Sequence, residues 1–363
     1  MPDIGDSNPF QSARPEVILS GKVDSDLAAQ LESLLVVETT DGLFRCEATF
    51  GNWGAVKGGT GFRHFQRDKL DFGKQLEIKV GDGDAHGKIF DGRITAIEAQ
   101  FPAPSVQALI TVLAEDQMQD LRMTRRTRNF ENTTDKAVFQ KIATEHGLTA
   151  ELDANGPTYQ TLAQINQSDL AFIRDRARSI DAEAWVDGKT LKVVSRGKRR
   201  NDKKLTLTWR EGLREFTVCA DLAGQRTSIV AGGWDVNAKD GVSHTADAKA
   251  LGNELGSDLS GPSILDQTFG KRADAIVHTA PFNSDEAKAR AEAGLRRMAR
   301  KFVTGRGVAE GDARLRAGAI VNLEKIGSMF SGGFYLNEVR HFFDKKTGYR
   351  VSFCVERPGI GKK

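Results

Sequence analysis

The chain has 363 residues, which as a prior suggests two to three domains, and its 39% apolar content supports ordinary cores. Its 52 Lys and Arg against 49 Asp and Glu leave a net charge of +3, which argues against a large phosphate-binding surface as the main activity. No apolar run is long enough to span a bilayer, and the first residues lack the basic and apolar regions of a secretory signal, so folding in a cytoplasm is expected. Cys46, Cys219 and Cys354 lie far apart without a C-x-x-C, so free thiols are expected.

In chain order, residues 1–15 carry Pro2, Pro9 and Pro15 among polar residues and are expected to form a flexible arm. Residues 16–130 are strand-rich, punctuated by Asp41-Gly42, Asp82-Gly83 and Asp91-Gly92, pairs that favour tight turns. One helix is expected around Ser25–Leu35. This pattern reads as a β barrel or sandwich.

Residues 131–200 differ. Thr134 is placed as an N-cap, Val138, Phe139, Ile142 and Ala143 share a helical face, and Gly147 is placed to end the helix. A second helix starts at Ser168, with Leu170, Ile173, Ala177 and Ile180 at helical spacing. Ala182–Val186 and Leu191–Val194 then flank Asp187-Gly188 as a hairpin. This is read as a small inserted α/β unit. Its end carries Arg196, Lys198, Arg199, Arg200, Lys203 and Lys204, a run expected to be a solvated loop because no aromatic residues interleave it.

Residues 201–357 return to strands and read as a second barrel. Residues 235–282, rich in Gly, Ser and Asp, are expected to be a long excursion from it. The clearest helix follows: Asn283 or Ser284 caps it, with Glu286 three residues after Asn283 as in a capping box, and Ala287, Ala291, Leu295, Met298 and Phe302 share one face. Arg296, Arg297, Arg300 and Lys301 crowd its last turns, where cations oppose the helix dipole. Residues 358–363 form a tail.

A repeat links the two strand-rich parts. Phe90, Gly92 and Glu98 recur as Phe330, Gly332 and Glu338, each 240 positions on. Each copy follows a glycine and an alternating strand: Gly73 with Leu76, Ile78 and Val80, and Gly318 with Val321 and Leu323. The fold class expected is therefore α+β, mainly β, with one β module used twice and an inserted α/β unit.

Catalytic patterns were sought and none selects a residue. There is no G-x-S-x-G elbow, and in Gly54–Gly61 the lysine, Lys57, precedes its glycine pair, so the stretch reads as a hairpin and not a phosphate loop. His64, His86, His146, His244, His278 and His341 show no paired metal-ligand spacing. A helix-terminal role suffices for His146 and cross-strand packing for His341. No catalytic, cofactor or metal residue is assigned, and no cofactor is expected. A carboxylate pair of the kind that hydrolyses glycans stays open.

Gln167-Ser168-Asp169-Leu170-Ala171-Phe172-Ile173-Arg174 followed by Ala182-Glu183-Ala184-Trp185-Val186-Asp187-Gly188 resembles the segments Q-S-D-x-x-F-L-R and W-V-x-D-G. Gly311-Asp312-Ala313-Arg314-Leu315-Arg316-Ala317-Gly318 resembles G-D-P-R-L-R-P-G, with alanine for both prolines. Phe330-Ser331-Gly332-Gly333-Phe334-Tyr335-Leu336-Asn337-Glu338-Val339-Arg340-His341 resembles F-S-G-x-Y-Y-V-T-E-V-R-H. In these three segments the chain resembles one family, the phage late control D proteins, which are tail hubs of contractile phages and match the hub part of valine-glycine-repeat spike proteins of type VI secretion. The resemblance covers roughly residues 16–357 and implies two tube-like β barrels in one chain with an inserted small α/β domain.

The resemblance implies a structural baseplate hub of a contractile tail or tail-like injection system. Such a hub is a homotrimer whose six barrels match a hexameric inner tube on one side and a trimeric spike on the other. The implied partners are the inner tube protein, a spike expected as a separate chain, other baseplate proteins, and DNA or cargo passing a central channel. The implied location is the bacterial cytoplasm during assembly and the tail particle thereafter. The competing classes are a peptidoglycan hydrolase and a glycan-binding module.

Overall fold

The computed structural model describes residues 14–81, 83–103, 107–199, 205–255 and 258–361. Most of the expected N-terminal arm, the basic residues Arg200, Lys203 and Lys204, and the last two residues of the tail lie outside these. The fold is mainly β, as the turn-punctuated strand pattern predicts.

The first strand-rich part contains β1 (Glu16–Leu19), α1 (Ser25–Gln30), β2 (Leu31–Thr39), β3 (Arg45–Gly51), β4 (Trp53–Val56), β5 (Gly59–Phe62), β6 (Gln75–Val80), β7 (Gly87–Gln100) and β8 (Leu109–Glu115). The helix starts where Asp24 accepts a hydrogen bond from the Leu27 N–H at 3.0 Å, and Leu27 is fully buried. It stops after six residues, and the chain continues as β2, whose Leu31, Leu34 and Val36 face the core.

The inserted segment contains β9 (Arg125–Thr134), α2 (Asp135–Glu145), β10 (Thr149–Asp153), β11 (Thr158–Ser168), α3 (Asp169–Ser179), β12 (Ala182–Asp187), β13 (Thr190–Ser195) and the single turn α4 (Arg196–Arg199). Thr134 caps α2 by accepting from Ala137 N–H, and Gly147 at φ +65° follows its end, a conformation glycine adopts without steric cost. Val138, Phe139, Ile142, Phe172 and Ile173 lie within a second core, which the β12–β13 hairpin helps to close.

The last part contains β14 (Leu205–Trp209), β15 (Gly212–Ala220), β16 (Ser228–Asp235), β17 (Asp240–Asp247), β18 (Ala273–Ile276), α5 (Ser284–Ala299), β19 (Val303–Glu310), β20 (Ile320–Glu324), β21 (Gly332–Asp344) and β22 (Gly348–Arg357). Within the excursion, β17 and β18 flank β16 in a three-stranded sheet. Ile229 and Ala231 of that sheet pack with Ala291 and Leu295 of α5 in a small third core. The alternation there is sparse because one face of this sheet is exposed.

The two strand-rich parts share a five-strand plan. The first runs in the order β6-β7-β8-β3-β2, the second β20-β21-β22-β19-β15, with every neighbour antiparallel. Irregularities recur at matching places: β2 skips Glu32 as β15 skips Arg214, and β7 skips Thr95 as β21 skips Asn337. Gly73 N–H donates to Ile94 C=O at 2.8 Å, and Gly318 N–H donates to Leu336 C=O at 2.8 Å. Ile94 therefore corresponds to Leu336, 242 positions apart, so the sequence echo identifies the right strands two residues out of register. A two-residue slip preserves which face each side chain occupies, so the pattern hides it.

The copies differ in their sixth strand. In the second, β14 runs parallel to both β20 and β15 and, with the β21–β22 pairing, closes a six-stranded barrel. In the first, β1 runs antiparallel to β6, and among the described residues it does not pair with β2. Instead β2 pairs with β21, from Ser33 opposite Asp344 to Thr39 opposite Glu338. This junction fuses the copies into one continuous thirteen-stranded sheet over one shared core.

Candidate assembly surface

The motif segments meet where the inserted segment docks on the fused sheet. Arg199 is the pivot: its guanidinium lies 4.0 Å over the Trp185 ring, donates to Glu183 at 2.8 Å and donates to the Ala317 carbonyl at 2.9 Å. Arg196 lies 3.9 Å over the Tyr335 ring and pairs with Glu356 at 2.5 Å, while the Tyr335 hydroxyl donates to Glu183 at 2.6 Å. Sequence reading places this basic run in solvent. Arg196 and Arg199 are instead buried, because aromatic faces and carboxylates from two other segments converge on them.

The glycines of the second motif follow from this packing. Gly318 sits at φ +92°, and an added Cβ would fall 2.1 Å from Arg199 Nε. An added Cβ on Gly311 would fall 2.1 Å from the Tyr349 ring. Arg316 reaches the first copy and pairs with Glu38, which is 1% exposed and also accepts from Ala317 N–H at 3.2 Å. A cleft of about 340 Å³ remains beside this joint, lined by Lys88, Phe90, Trp185, Asp187, Gly188 and Arg316.

Within the inserted segment, Asp169 organises the first motif. Ser168 caps α3 by accepting from Ala171 N–H at 3.2 Å. Asp169 accepts from Arg126, Arg128 and Gln164 at 3.0, 2.9 and 2.8 Å, and lies 2.9 Å from His146 Nε2. Burial alone would raise its carboxyl; the bonds from His146 and Gln164 and the two guanidiniums hold it below its usual value. His146 thus does more than cap α2. Asp135 plays a similar part, bonded by Arg176 at 2.7 Å and the Tyr159 hydroxyl at 2.9 Å.

A second cleft of about 460 Å³ is rich in arginine, with Arg174, Arg178, Arg196, Arg297 and Arg300 around Asp181. Arg300, expected to oppose the α5 dipole, is also buried between Asp181 and Glu254, each contacted at 2.5 Å. The buried cations here, Arg196 and Arg300, each meet carboxylates, which is the pattern of a structural joint.

The remaining candidates are dispersed. His341 is fully buried, bonded through Nδ1 to the Tyr349 hydroxyl at 2.7 Å, and burial beside Arg316 lowers it to about 3. Burial pushes the Asp116 carboxyl up to about 7, against the Phe44 and Met118 N–H groups that donate to it. His64 bonds Gln30, His86 lies 3.7 Å from Glu16, and His278 is exposed. Among the described residues no three His, Cys, Asp or Glu side chains group as metal ligands, and no helix is long and apolar enough to cross a membrane. Gly54–Gly61 forms the β4–β5 hairpin, with Trp53 against Phe62 at 5.1 Å.

Residues 58–344 match the family described as the Alg8 N-terminal domain, and by that match the chain belongs to it; the description names a domain and no activity. No curated protein matches the sequence. Among solved structures, the chain is similar to the 43 kDa tail protein of prophage MuSo2 from Shewanella oneidensis. The TM-score is 0.68 at 11% identity, covering 95% of this chain and 98% of that one. It is similar to a tail protein from Neisseria meningitidis MC58, with TM-score 0.67, 14% identity, and 96% and 97% coverage. It is also similar to the Escherichia coli c3393 protein, described as a type VI secretion component, with TM-score 0.55, 12% identity, and 92% and 76% coverage. At these identities what is shared is the fold: this chain has the architecture of phage tail proteins from end to end.

Proposed function

We propose that the chain is the structural baseplate hub of a contractile phage tail or tail-like injection system, of the late control D type. It acts as a homotrimeric adaptor between a hexameric inner tube and a trimeric spike. The observation that carries this reading is the five-strand plan used twice in one chain, down to the positions of its strand irregularities. Three chains supply six copies of that plan, so one ring offers a six-fold-like rim to a tube while keeping three-fold symmetry for a spike. The full-length likeness to tail proteins and the resemblance of the three motifs support the same assignment.

On this reading the work done is mechanical. The buried arginine joints hold the inserted segment rigidly on the sheet, and the ring leaves a channel for DNA or cargo without specific recognition. Assembly takes place in the bacterial cytoplasm, and the product is a component of the tail particle. The test is the mass of the purified protein by light scattering, with and without tube and spike proteins, and negative-stain averages of the product. Three copies per ring with six peripheral lobes are expected; a chain that stays monomeric with both partners present overturns the proposal.

A further inference from the structure

We infer that the ring closes by strand addition: the free edge of β15 in one copy pairs antiparallel with the free C-terminal half of β7 in the next, in a defined register. This rests on the trimeric reading above and specifies the contact that makes it.

Two of the edges left unpaired among the described residues belong to the duplicated plan itself. β7 is paired on both sides only up to Arg93; beyond Ile94 it keeps β8 on one side and nothing on the other. β15 pairs with β14 only at Gly212 and Leu213, so Glu215–Ala220 keep β19 alone. Such edges offer rows of unsatisfied N–H and C=O groups that template another strand.

The internal duplication says which strand. β15 is the counterpart of β2, with Val218 matching Val36, because these two pair with Gly305 and Cys46 at matching places of β19 and β3. β7 is the counterpart of β21, with Ile94 matching Leu336. Within the chain β2 and β21 pair with each other. The two free edges are thus the unpaired duplicates of the two edges that form the intrachain junction. Repeating that junction between chains joins every copy of the plan by the same kind of contact; such a heterologous contact forms a ring where its rotation closes and a filament where it does not, and a ladder that ends at three chains distinguishes the two.

Transferring the junction register places Val218 opposite Ala99, Cys219 opposite Glu98, Thr217 opposite Gln100 and Phe216 opposite Phe101. The exposure of these residues fits a missing strand. At the intrachain junction Val339, His341 and Phe343 are 0%, 0% and 6% exposed; their counterparts are Ile97, only partly buried, Ala99, exposed, and Phe101, 66% exposed. Likewise Leu34 and Val36 are buried, whereas their counterparts Phe216 and Val218 remain half-buried. The second copy of this chain supplies the cover that the first copy gets from within.

The native thiol of Cys219 is exposed and gives a reporter. Glu98→Cys is expected to cross-link to Cys219 of a neighbouring chain under mild oxidation, giving a ladder that ends at three chains. The off-register control Arg93→Cys, and Glu98→Cys combined with Cys219→Ser, are expected to give no ladder. Ala99→Lys, at a position exposed within one chain, is expected to leave the melting temperature of the isolated chain unchanged and abolish the trimer. A trimer by light scattering that fails to cross-link at Glu98→Cys, or that survives Ala99→Lys, overturns this pairing while leaving the hub reading intact. A wild-type chain that is monomeric with its partners overturns both.

Discussion

The joint built on Arg199 makes a quantitative prediction through Gly318. Arg199→Ala removes a charged hydrogen bond to Glu183, a bond to the Ala317 carbonyl and a cation–π contact at 4.0 Å. Charge-assisted bonds contribute about 1.5–3 kcal/mol and a desolvated cation–π pair about 2 kcal/mol. Glu183 keeps the Tyr335 hydroxyl at 2.6 Å and Arg196 at 3.9 Å, so its charge is not stranded and the total cost should be about 4–5 kcal/mol. Gly318→Ala has two separable costs. A side chain at φ +92° costs about 1–2 kcal/mol in any background, and the 2.1 Å approach to Arg199 Nε costs about 1–3 kcal/mol more. Only the second cost vanishes when Arg199 is alanine. In urea unfolding, Gly318→Ala should therefore destabilise the wild type by about 3 kcal/mol and the Arg199→Ala variant by about 1 kcal/mol. Equal costs in the two backgrounds would show that Gly318 is required by its backbone alone and that the packing argument is wrong.

Three further predictions follow from buried groups. Gly311→Ala should displace the Tyr349 ring from its bond to His341 and cost about 2–4 kcal/mol, read as a lowered urea midpoint with an unchanged slope. Asp169→Ala should cost about 3–5 kcal/mol, because Arg126, Arg128 and His146 lose their shared acceptor, and Asp169→Asn should recover part of it. Two groups bend the pH profile in opposite senses. His341, held at about 3, contributes stability that is complete above about 6.5 and is lost as pH falls through that window. Asp116, raised to about 7, binds its proton more tightly folded than unfolded, so it adds stability as pH falls from about 7 toward 4. Thermal melts between pH 7 and 5 should thus fall more steeply for Asp116→Asn than for the wild type, and less steeply for His341→Gln; unchanged slopes would show that neither group titrates differently on folding.

What was legible in the sequence is what depends on near neighbours. Thr134 was readable as a cap and Ser168 as the start of a helix because each bonds an N–H three residues on. Asn283 was too: it accepts from the Glu286 N–H at 2.9 Å, while the Glu286 carboxylate reaches back to Phe282 N–H. The mainly β class was readable because turn pairs and alternation recur throughout. The buried arginines were not. Arg199 is satisfied by Glu183, Trp185 and Ala317, and Arg300 by Asp181 and Glu254; none of these partners lies within a few residues of its arginine in sequence, so charge density alone resembles a solvated loop or a dipole cap. The strand β9, which begins Arg125-Arg126-Thr127-Arg128, was equally opaque, because its arginines are held by Asp169 on another element.

The repeat illustrates a limit particular to β proteins. Side chains alternate with period two, so a comparison between two strands can slide by two residues and still match every face. Phe90 and Phe330 align by that slide, while the backbone equates Ile94 with Leu336 through the bond each carbonyl accepts from a glycine. A two-residue error is harmless for recognising a duplicated plan and decisive for predicting a strand pairing. At the 240 spacing, the residue opposite Cys219 in a repeated junction would be Gln100; at 242 it is Glu98. Both point to the same face of the sheet, about 7 Å apart along the strand, so a cross-linking comparison of Glu98→Cys with Gln100→Cys separates them. The irregularities at Thr95 and Asn337 favour the second spacing, since these two skipped residues are themselves 242 positions apart and each interrupts its ladder at the matching rung. In a ring built from a duplicated strand plan these interruptions serve as register marks that the side-chain pattern cannot supply.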